Sequence, residues 1–131
     1  KLEDTINNYN SLVITERCDN NLKYKTKYLM ATTRYQFSYV YGIFYNCFKS
    51  LNIFLSFTPD VIISTGSHTA IPLCLIGHLF GKKIVYIESF ANISTKSLAG
   101  RIVYNFADVF IVQWENMLKL YPNAIYIGGL Y

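Results

Sequence analysis

The stretch that decides the fold is residues 61–90, which read VIISTGSHTAIPLCLIGHLFGKKIVYIESF. The β-branched run at 60–64 predicts a buried strand. A glycine-containing turn at 65–69 leads into a segment with helical spacing at 70–80. The next run of alternating β-branched and aromatic residues, at 83–88, predicts a second strand. The stretch therefore predicts a strand, a helix and a further strand in close succession.

The same alternation continues toward the C-terminus. The predicted elements are a loop at 89–96, a helix at 97–106, a strand at 108–112, a short helix at 114–120 and a strand at 124–127. Strands that alternate with helices of about ten residues are typical of βαβ units and of a parallel sheet flanked by helices. We therefore expect an α/β fold that forms one domain over residues 1–131.

The first half of the chain is less regular. Residues 12–15 predict a strand, residues 1–9 the end of a helix, and residues 16–33 a polar, irregular segment. The apolar run at 35–57 predicts a long helix, and its main apolar stripe contains Val40, Phe44, Phe48, Leu51 and Leu55. A narrow stripe on the opposite side contains Ser38, Gly42, Asn46 and Lys49.

Three interpretations of this long helix stay open. Its length is sufficient to cross a bilayer, but the polar residues and Lys49 inside the run make a membrane span costly. Alternatively, the helix lies at a membrane interface, with Phe44 and Phe48 facing the lipid. The third interpretation is an ordinary core helix.

Composition limits the classes of function. Charged residues make up only 15% of the chain, which also contains 12 Tyr and 9 Phe. Such a surface favours a protein partner or a membrane interface, although an aromatic core is the alternative. The net charge of +4 is too small and too scattered to indicate nucleic-acid binding. One group of basic residues forms either a solvated loop or a phosphate site: Arg17, Lys23, Lys25, Lys27 and Arg34.

Cysteine usage indicates a reducing compartment. The three cysteines are Cys18, Cys47 and Cys74, an odd number without C-x-x-C spacing. This pattern favours neither a disulfide framework nor a zinc site. We expect no metal and no cofactor.

Two loops follow predicted strands and carry polar groups. Gly66, Ser67, His68 and Thr69 lie between a strand and a helix, where backbone N–H groups and hydroxyls can bind an anion or a hydroxyl group. A tight turn with Ser67 or Thr69 as the N-cap is equally compatible with the pattern.

The second loop begins with Glu88, Ser89, Phe90 and Asn92. A carboxylate at the end of an apolar strand requires a partner. It either binds a sugar hydroxyl or acts as a base, or it caps the next segment through backbone N–H groups. Trp114 also lies at the end of a strand, where it is either a ligand contact or an aromatic anchor.

These motifs, in this order, resemble a known family. The matching segments are VIISTGSHTAIPLCLIGHLFGKKIVYIESFANISTKSLAGRIVYNFADVFIVQW (61–114) and YPNAIYIGGLY (121–131). They resemble bacterial capsule and exopolysaccharide proteins that act as the non-catalytic partner of a glycosyltransferase. They are equally similar to the membrane-anchoring subunit of the eukaryotic UDP-N-acetylglucosamine transferase of dolichol-linked glycan assembly.

The resemblance implies a fold and a function. The fold is the Rossmann-like N-terminal half of a GT-B glycosyltransferase. This half faces a lipid-linked sugar acceptor at the cytoplasmic face of the membrane, as a peripheral protein. A second, catalytic subunit binds the nucleotide sugar, and the complex transfers sugar from a UDP-sugar to a polyprenyl-diphosphate-linked acceptor in polysaccharide biosynthesis.

The resemblance also implies roles for single residues. Glu88 matches the acceptor-side E-S-F loop of the family and is the candidate catalytic residue, which would orient the acceptor hydroxyl or its base. Acceptor binding is implied for Gly66, Ser67, His68, Thr69, Ser89, Phe90, Asn92, Gln113 and Trp114. Docking of the catalytic partner is implied for the tail residues Gly128, Gly129, Leu130 and Tyr131.

One departure from the family pattern concerns the N-terminus. Family members begin with a strand and a Gly-Gly-His loop, which this sequence lacks. We therefore expect the chain to be truncated and to lack the first strand. Two alternatives to the two-subunit function are a free-standing small glycosyltransferase and a non-enzymatic membrane scaffold with the same fold.

Overall fold

A computed structural model describes residues 3–16, 25–29 and 36–129. The helices are α1 (Glu3–Asn8), α2 (Gln36–Phe57), α3 (Ile71–Leu79) and α4 (Leu98–Val103). The strands are β1 (Val13–Glu16), β2 (Thr26–Leu29), β3 (Val61–Ser64), β4 (Lys83–Ile87), β5 (Val109–Val112) and β6 (Ile125–Tyr126). Two 3-10 helices cover His68–Ala70 and Glu115–Lys119.

All strand pairs are parallel. β3, β4, β5 and β6 form a four-stranded sheet in that order, and β1 and β2 form a separate two-stranded sheet. Ile62 pairs with Ile84, and Tyr86 pairs with Phe110. The parallel α/β fold predicted from the sequence is therefore confirmed. The expectation of a missing first strand stays a prediction.

The core lies on one face of the four-stranded sheet. Strand residues alternate between the two faces, and Ile62 and Ile84 are buried on the covered face. α3 packs there so closely that a Cβ atom at Gly77 would contact the Ile62 side chain. On the opposite face, Val61 and Ile63 are about half exposed.

Helix α2 packs against α3, and its buried residues include small and polar side chains as well as Ile53 and Phe54. Gly42, Asn46 and Ser50 are buried, whereas Phe44 is 71% and Phe48 is 72% exposed. Phe54 of the same helix belongs to the core, so the interpretation of α2 as an ordinary core helix holds for Phe54 and is wrong for Phe44 and Phe48. None of the helices within 3–16, 25–29 and 36–129 has the length and apolar character needed to cross a membrane.

Three elements differ from the sequence predictions. Residues 26–29, expected to be irregular, form β2, in which Leu29 is buried and the other three residues are not, so no apolar run marks this strand. α4 ends at Val103, three residues early, because the chain turns with a hydrogen bond from the Phe106 N–H to the Val103 carbonyl. The helix predicted at 114–120 is a 3-10 helix.

Candidate functional site

Three loops meet at the carboxyl edge of the four-stranded sheet. They follow β3, β4 and β5, which are neighbours in the sheet. Parallel strands end at the same edge, so the residues after them are brought together. The predicted groups at Gly66, Glu88 and Trp114 therefore lie together at this edge.

The loop after β3 approaches the loop after β4 at a glycine. Gly66 has a φ angle of +90°, which favours glycine. A Cβ atom at this position would lie 3.0 Å from the Ser89 backbone nitrogen. The backbone of the first loop thus lies directly against the second loop, and a larger residue would separate them.

The polar residues of the first loop differ in accessibility. The hydroxyls of Ser67 and Thr69 are 2.7 Å apart. Ser67 precedes the 3-10 helix in an extended conformation but makes no side-chain capping hydrogen bond. Thr69 is buried, whereas His68 is exposed and can meet a ligand.

Glu88 is the most connected residue of the site. It is 1% exposed, and its Oε1 accepts hydrogen bonds from the Ser89 N–H (2.9 Å) and Asn92 Nδ2 (3.2 Å). The Ser97 hydroxyl lies 2.8 Å from Oε1 and 3.0 Å from Oε2. The Tyr121 hydroxyl donates to Oε2 at 3.0 Å. These bonds compensate the cost of burying the carboxylate and fix the loop that follows it.

The carboxylate also fixes the start of α4. Ser97 is the N-cap of this helix, and its Oγ accepts a hydrogen bond from the Gly100 N–H at 2.8 Å. The Ser97 hydroxyl proton is directed at Glu88, so one residue links the carboxylate to the helix. Glu88 therefore caps the following segment, as one interpretation of the sequence proposed. Its role as a base stays a prediction.

The loop after β5 is attached to the same segment. Gln113 is buried and donates from Nε2 to the Glu88 carbonyl at 2.9 Å. Trp114 donates from Nε1 to the Phe90 carbonyl at 2.8 Å. The rings of Phe90 and Trp114 lie 4.7 Å apart. Phe90 is 41% exposed, so these two residues present an aromatic surface at the sheet edge.

Two buried tyrosines near Glu88, Tyr86 and Tyr121, stay protonated at neutral pH because their pKa values are raised. Burial is the main cause that raises the pKa of Tyr121, and the Glu88 carboxylate raises it further. Burial likewise raises the pKa of Tyr86. Tyr121 thus remains a hydrogen-bond donor to Glu88 at neutral pH.

Sequence reasoning missed Ser97, Gly100 and Tyr121 as members of the site. Ser97 lies at a predicted helix start, and serine at this position is a capping signal. Tyr121 lies 33 residues beyond Glu88 and carries no local signal. Tertiary packing alone brings it to the carboxylate.

The exposed groups at this edge suit a ligand with hydroxyls and an apolar face. Phe90 and His68 are exposed, and Ser89 and Asn92 are half-buried. Aromatic rings beside a few polar groups are typical of small-molecule sites. A sugar ring has both required properties.

A cleft adjoins the first loop. It has a volume of about 210 Å³ and lies between α2, α3 and α4. Ile43, Pro72, Leu98 and Ile102 contribute its apolar walls. Sequence analysis did not predict it, because its walls come from three separate helices.

Several predicted residues lie outside this edge. Phe44 and Phe48 project from α2. Gly128 and Gly129 follow β6, whereas Leu130 and Tyr131 lie outside the described residues. Of the basic group, Lys25 is exposed and Lys27 donates to the Ser56 hydroxyl at 3.1 Å. The other members of that group, and Cys18, lie outside the described residues: Arg17, Lys23 and Arg34.

The two described cysteines, Cys47 and Cys74, are free. Cys47 lies in α2 and is half-buried, and Cys74 lies in α3 and is buried. Burial raises the pKa of Cys74 to about 11. Its thiol is therefore protonated and unreactive at neutral pH.

Comparison with curated proteins finds relatives in animals and fungi. The chain is 38% identical over 99 residues to the mouse UDP-N-acetylglucosamine transferase subunit ALG14, covering 71% of the chain and 46% of that protein. It is 47% identical over 75 residues to the fission yeast subunit alg14, covering 53% and 36%. It is 37% identical over 78 residues to the human subunit ALG14, covering 55% and 36%.

The chain thus spans about half the length, or less, of the curated relatives it matches. No solved structure matches it with statistical significance. The resemblance to the eukaryotic transferase subunit is confirmed, and the resemblance to bacterial capsule proteins stays a prediction. The family model described as "Oligosaccharide biosynthesis protein Alg14 like" matches residues 12–130. The chain therefore belongs to the Alg14-like family of oligosaccharide biosynthesis proteins.

Proposed function

We propose that this chain is the acceptor-side subunit of a two-component glycosyltransferase. It forms the N-terminal half of a GT-B arrangement, and a separate catalytic subunit binds the UDP-sugar. The names of the relatives favour UDP-N-acetylglucosamine as the donor. The acceptor is a sugar linked to a polyprenyl diphosphate, as in the assembly of lipid-linked glycans or of a bacterial polysaccharide.

One observation carries this proposal: the loops after β3, β4 and β5 are joined into a single edge. Gly66 lies against Ser89, and Trp114 holds the Phe90 carbonyl. The edge presents an aromatic surface with a hydroxyl, an amide and an imidazole, which suits an acceptor sugar. The described residues contribute no group of three or more His, Cys, Asp or Glu side chains that could hold a metal ion.

In the proposed reaction, the acceptor hydroxyl attacks the anomeric carbon of the donor sugar. The bond from that carbon to UDP breaks, UDP leaves with the electron pair, and a base takes the hydroxyl proton. Glu88 serves this step as a positioning residue. Its bonds to the Ser89 N–H and Asn92 fix the groups that meet the acceptor hydroxyl.

The proposed location is the cytoplasmic face of a membrane, as a peripheral protein, and the exposed side of α2 supports the membrane attachment. Phe44 and Phe48 are exposed, and the neighbouring rings of Tyr41 and Tyr45 are stacked with centroids 6.5 Å apart. Lys49 lies 5.5 Å from the centre of the Tyr45 ring. Aromatic residues beside a lysine are typical of helices at a membrane surface.

The tail after β6 is proposed as the docking segment for the catalytic subunit. Gly128 has a φ angle of +75° and follows β6, which lies at the edge of the four-stranded sheet. Ile125 and Ile127 are about half exposed beside it. The proposed docking segment, 128–131, thus follows directly after exposed apolar residues that a partner could cover.

The test is reconstitution of transfer. The full-length protein and the candidate donor-binding subunit are purified, and transfer of labelled N-acetylglucosamine from the UDP-sugar to a polyprenyl-diphosphate-linked sugar is measured. Transfer only with both proteins is expected. Transfer by this chain alone would instead establish a free-standing enzyme. Transfer by the partner alone, unchanged by this chain, would favour the scaffold.

A further inference from the structure

The cleft between α2, α3 and α4 has mainly apolar walls. Ile43 comes from α2, Pro72 from α3, and Leu98 and Ile102 from α4. Each isoleucine and leucine named here is between one third and one half exposed. The residues that line the cleft include no Lys, Arg, Asp or Glu. This lining favours hydrocarbon over any charged ligand.

Part of the cleft lining comes from the loop at the sheet edge. His68 and Thr69 line the cleft, and both follow Gly66 in the first loop. Asn46 of α2 also lines the cleft and is buried. The cleft therefore shares His68 and Thr69 with the loop at the proposed acceptor site.

Another wall of the cleft is formed by α2, the helix that carries the exposed aromatic residues. Ile43 lines the cleft and is adjacent in sequence to Phe44, which is 71% exposed. One wall of the cleft therefore belongs to the helix whose exposed aromatic residues are proposed to face the membrane.

We propose that this cleft binds the first part of the isoprenoid chain of a polyprenyl-diphosphate-linked acceptor. The proposal rests on the proposed function and specifies how the acceptor is held. Apolar cavities of about 150 Å³ remain dry and bind a molecule such as benzene, so 210 Å³ provides room for a short branched hydrocarbon segment. The chain directs the diphosphate toward His68 and the Gly66 loop.

The first test compares acceptors that share a sugar diphosphate but differ in the chain. Ile102→Trp fills the cleft from a position that is 39% exposed, so folding is preserved. With the complete two-subunit enzyme, this variant should raise the KM for the polyprenyl acceptor about tenfold, which corresponds to about 1.4 kcal/mol. The KM for an acceptor with a short alkyl chain should be unchanged. Leu75→Trp, on an exposed part of α3 outside the cleft, is the matched control and should alter neither value.

The second test needs no turnover. Geranylgeranyl diphosphate carrying a diazirine on its chain is photolysed with the full-length protein, and labelled peptides are identified. Label at Ile43, Leu98 or Ile102, displaced by unlabelled geranylgeranyl diphosphate but not by inorganic diphosphate, is expected.

The two tests separate failure of the cleft from failure of the proposed function. Equal KM effects on both acceptors, or label found only outside the cleft, would overturn the inference even when the wild-type complex transfers sugar. Absence of transfer by the wild-type complex would refute the proposed function, and the labelling result would then decide the cleft alone.

Discussion

The hydroxyl of Tyr121 donates a 3.0 Å hydrogen bond to Oε2 of Glu88, across 33 residues of sequence and beneath the loops of the sheet edge. Both residues are fully buried. The bond joins the segment after β5 to the segment after β4. The geometry of the proposed acceptor site therefore depends on a residue that does not contact solvent.

Removing this donor should destabilise the protein. Tyr121→Phe keeps the ring but leaves Oε2, among the described residues, with only the Ser97 hydroxyl, which Oε2 shares with Oε1. Loss of a hydrogen bond to a buried charged group costs about 1–3 kcal/mol in the free energy of unfolding. Urea denaturation measures the change. Tyr126→Phe, at an exposed tyrosine, is the control and should have little effect. Equal stabilities of Tyr121→Phe and the wild type would show that the bond contributes nothing.

Space beside the carboxylate is equally restricted. A Cβ atom at Gly100 would contact Glu88 Oε2 and lie 2.5 Å from the Tyr121 hydroxyl. Gly100→Ala should therefore destabilise the fold by about 1–3 kcal/mol through overpacking, despite the better helix propensity of alanine. Thermal unfolding tests this, with Arg101→Ala at an exposed position of α4 as control. A rise in the melting temperature would contradict the packing.

Acid stability should depend on Asp108. Its Oδ2 accepts from the Ile84 N–H at 2.8 Å, and this bond is the main cause that lowers its pKa, followed by the bond from Lys83. A lowered pKa in the folded state stabilises the protein above the unfolded value of about 4, and this contribution is lost as the pH falls through the folded pKa.

Asp108→Asn should therefore lower the melting temperature at pH 7. Below about pH 4, the melting temperature of this variant should fall less steeply with pH than that of the wild type. Melting curves at several pH values measure both effects. Asp60→Asn removes the exposed ion pair with Lys82 and serves as control, since such pairs contribute little. Identical pH profiles for Asp108→Asn and the wild type would exclude this role.

Membrane binding should depend on the exposed side of α2. Phe44→Ser and Phe48→Ser each remove an aromatic side chain worth about 1.5–3 kcal/mol on burial, so vesicle binding should weaken about tenfold or more for each change. Cosedimentation with vesicles that contain anionic lipid measures binding. Ile63→Ser removes a half-exposed apolar residue on the sheet instead and should leave binding unchanged. Equal losses of vesicle binding for all three variants would show that α2 has no specific role in membrane binding.

Sequence patterns predicted the sheet well because buried parallel strands have strong local signals. The runs around Ile62, Ile84 and Phe110 are β-branched or aromatic and form the strands expected. β2 was missed because only Leu29 is buried in it. A strand that is mostly accessible does not need the apolar pattern on which such predictions depend.

The orientation of α2 was harder to predict from its sequence. The apolar stripe with Phe44 and Phe48 would ordinarily be assigned to the core, yet both are exposed, and Asn46 and Ser50 are buried together with Ile53 and Phe54. Periodicity identifies the two sides of a helix but does not decide which side is covered. That choice depends on close packing against α3, which no local pattern records.

The candidate site was partly predictable for the same reason. Gly66, Glu88 and Trp114 follow strands, and parallel topology brings strand ends together. The hydrogen-bond network around Glu88 could not be predicted, because Ser97 and Tyr121 reach the carboxylate from other elements of the fold.

The most direct test of the acceptor-side account uses Phe90→Ala in the complete two-subunit enzyme. Phe90 is 41% exposed and its ring contacts that of Trp114 at the sheet edge, so its removal should alter ligand contact more than folding. The KM for the polyprenyl-linked acceptor should rise about tenfold, while the KM for UDP-N-acetylglucosamine stays at the wild-type value. A raised KM for the UDP-sugar with an unchanged KM for the acceptor would contradict the account and place this edge on the donor side.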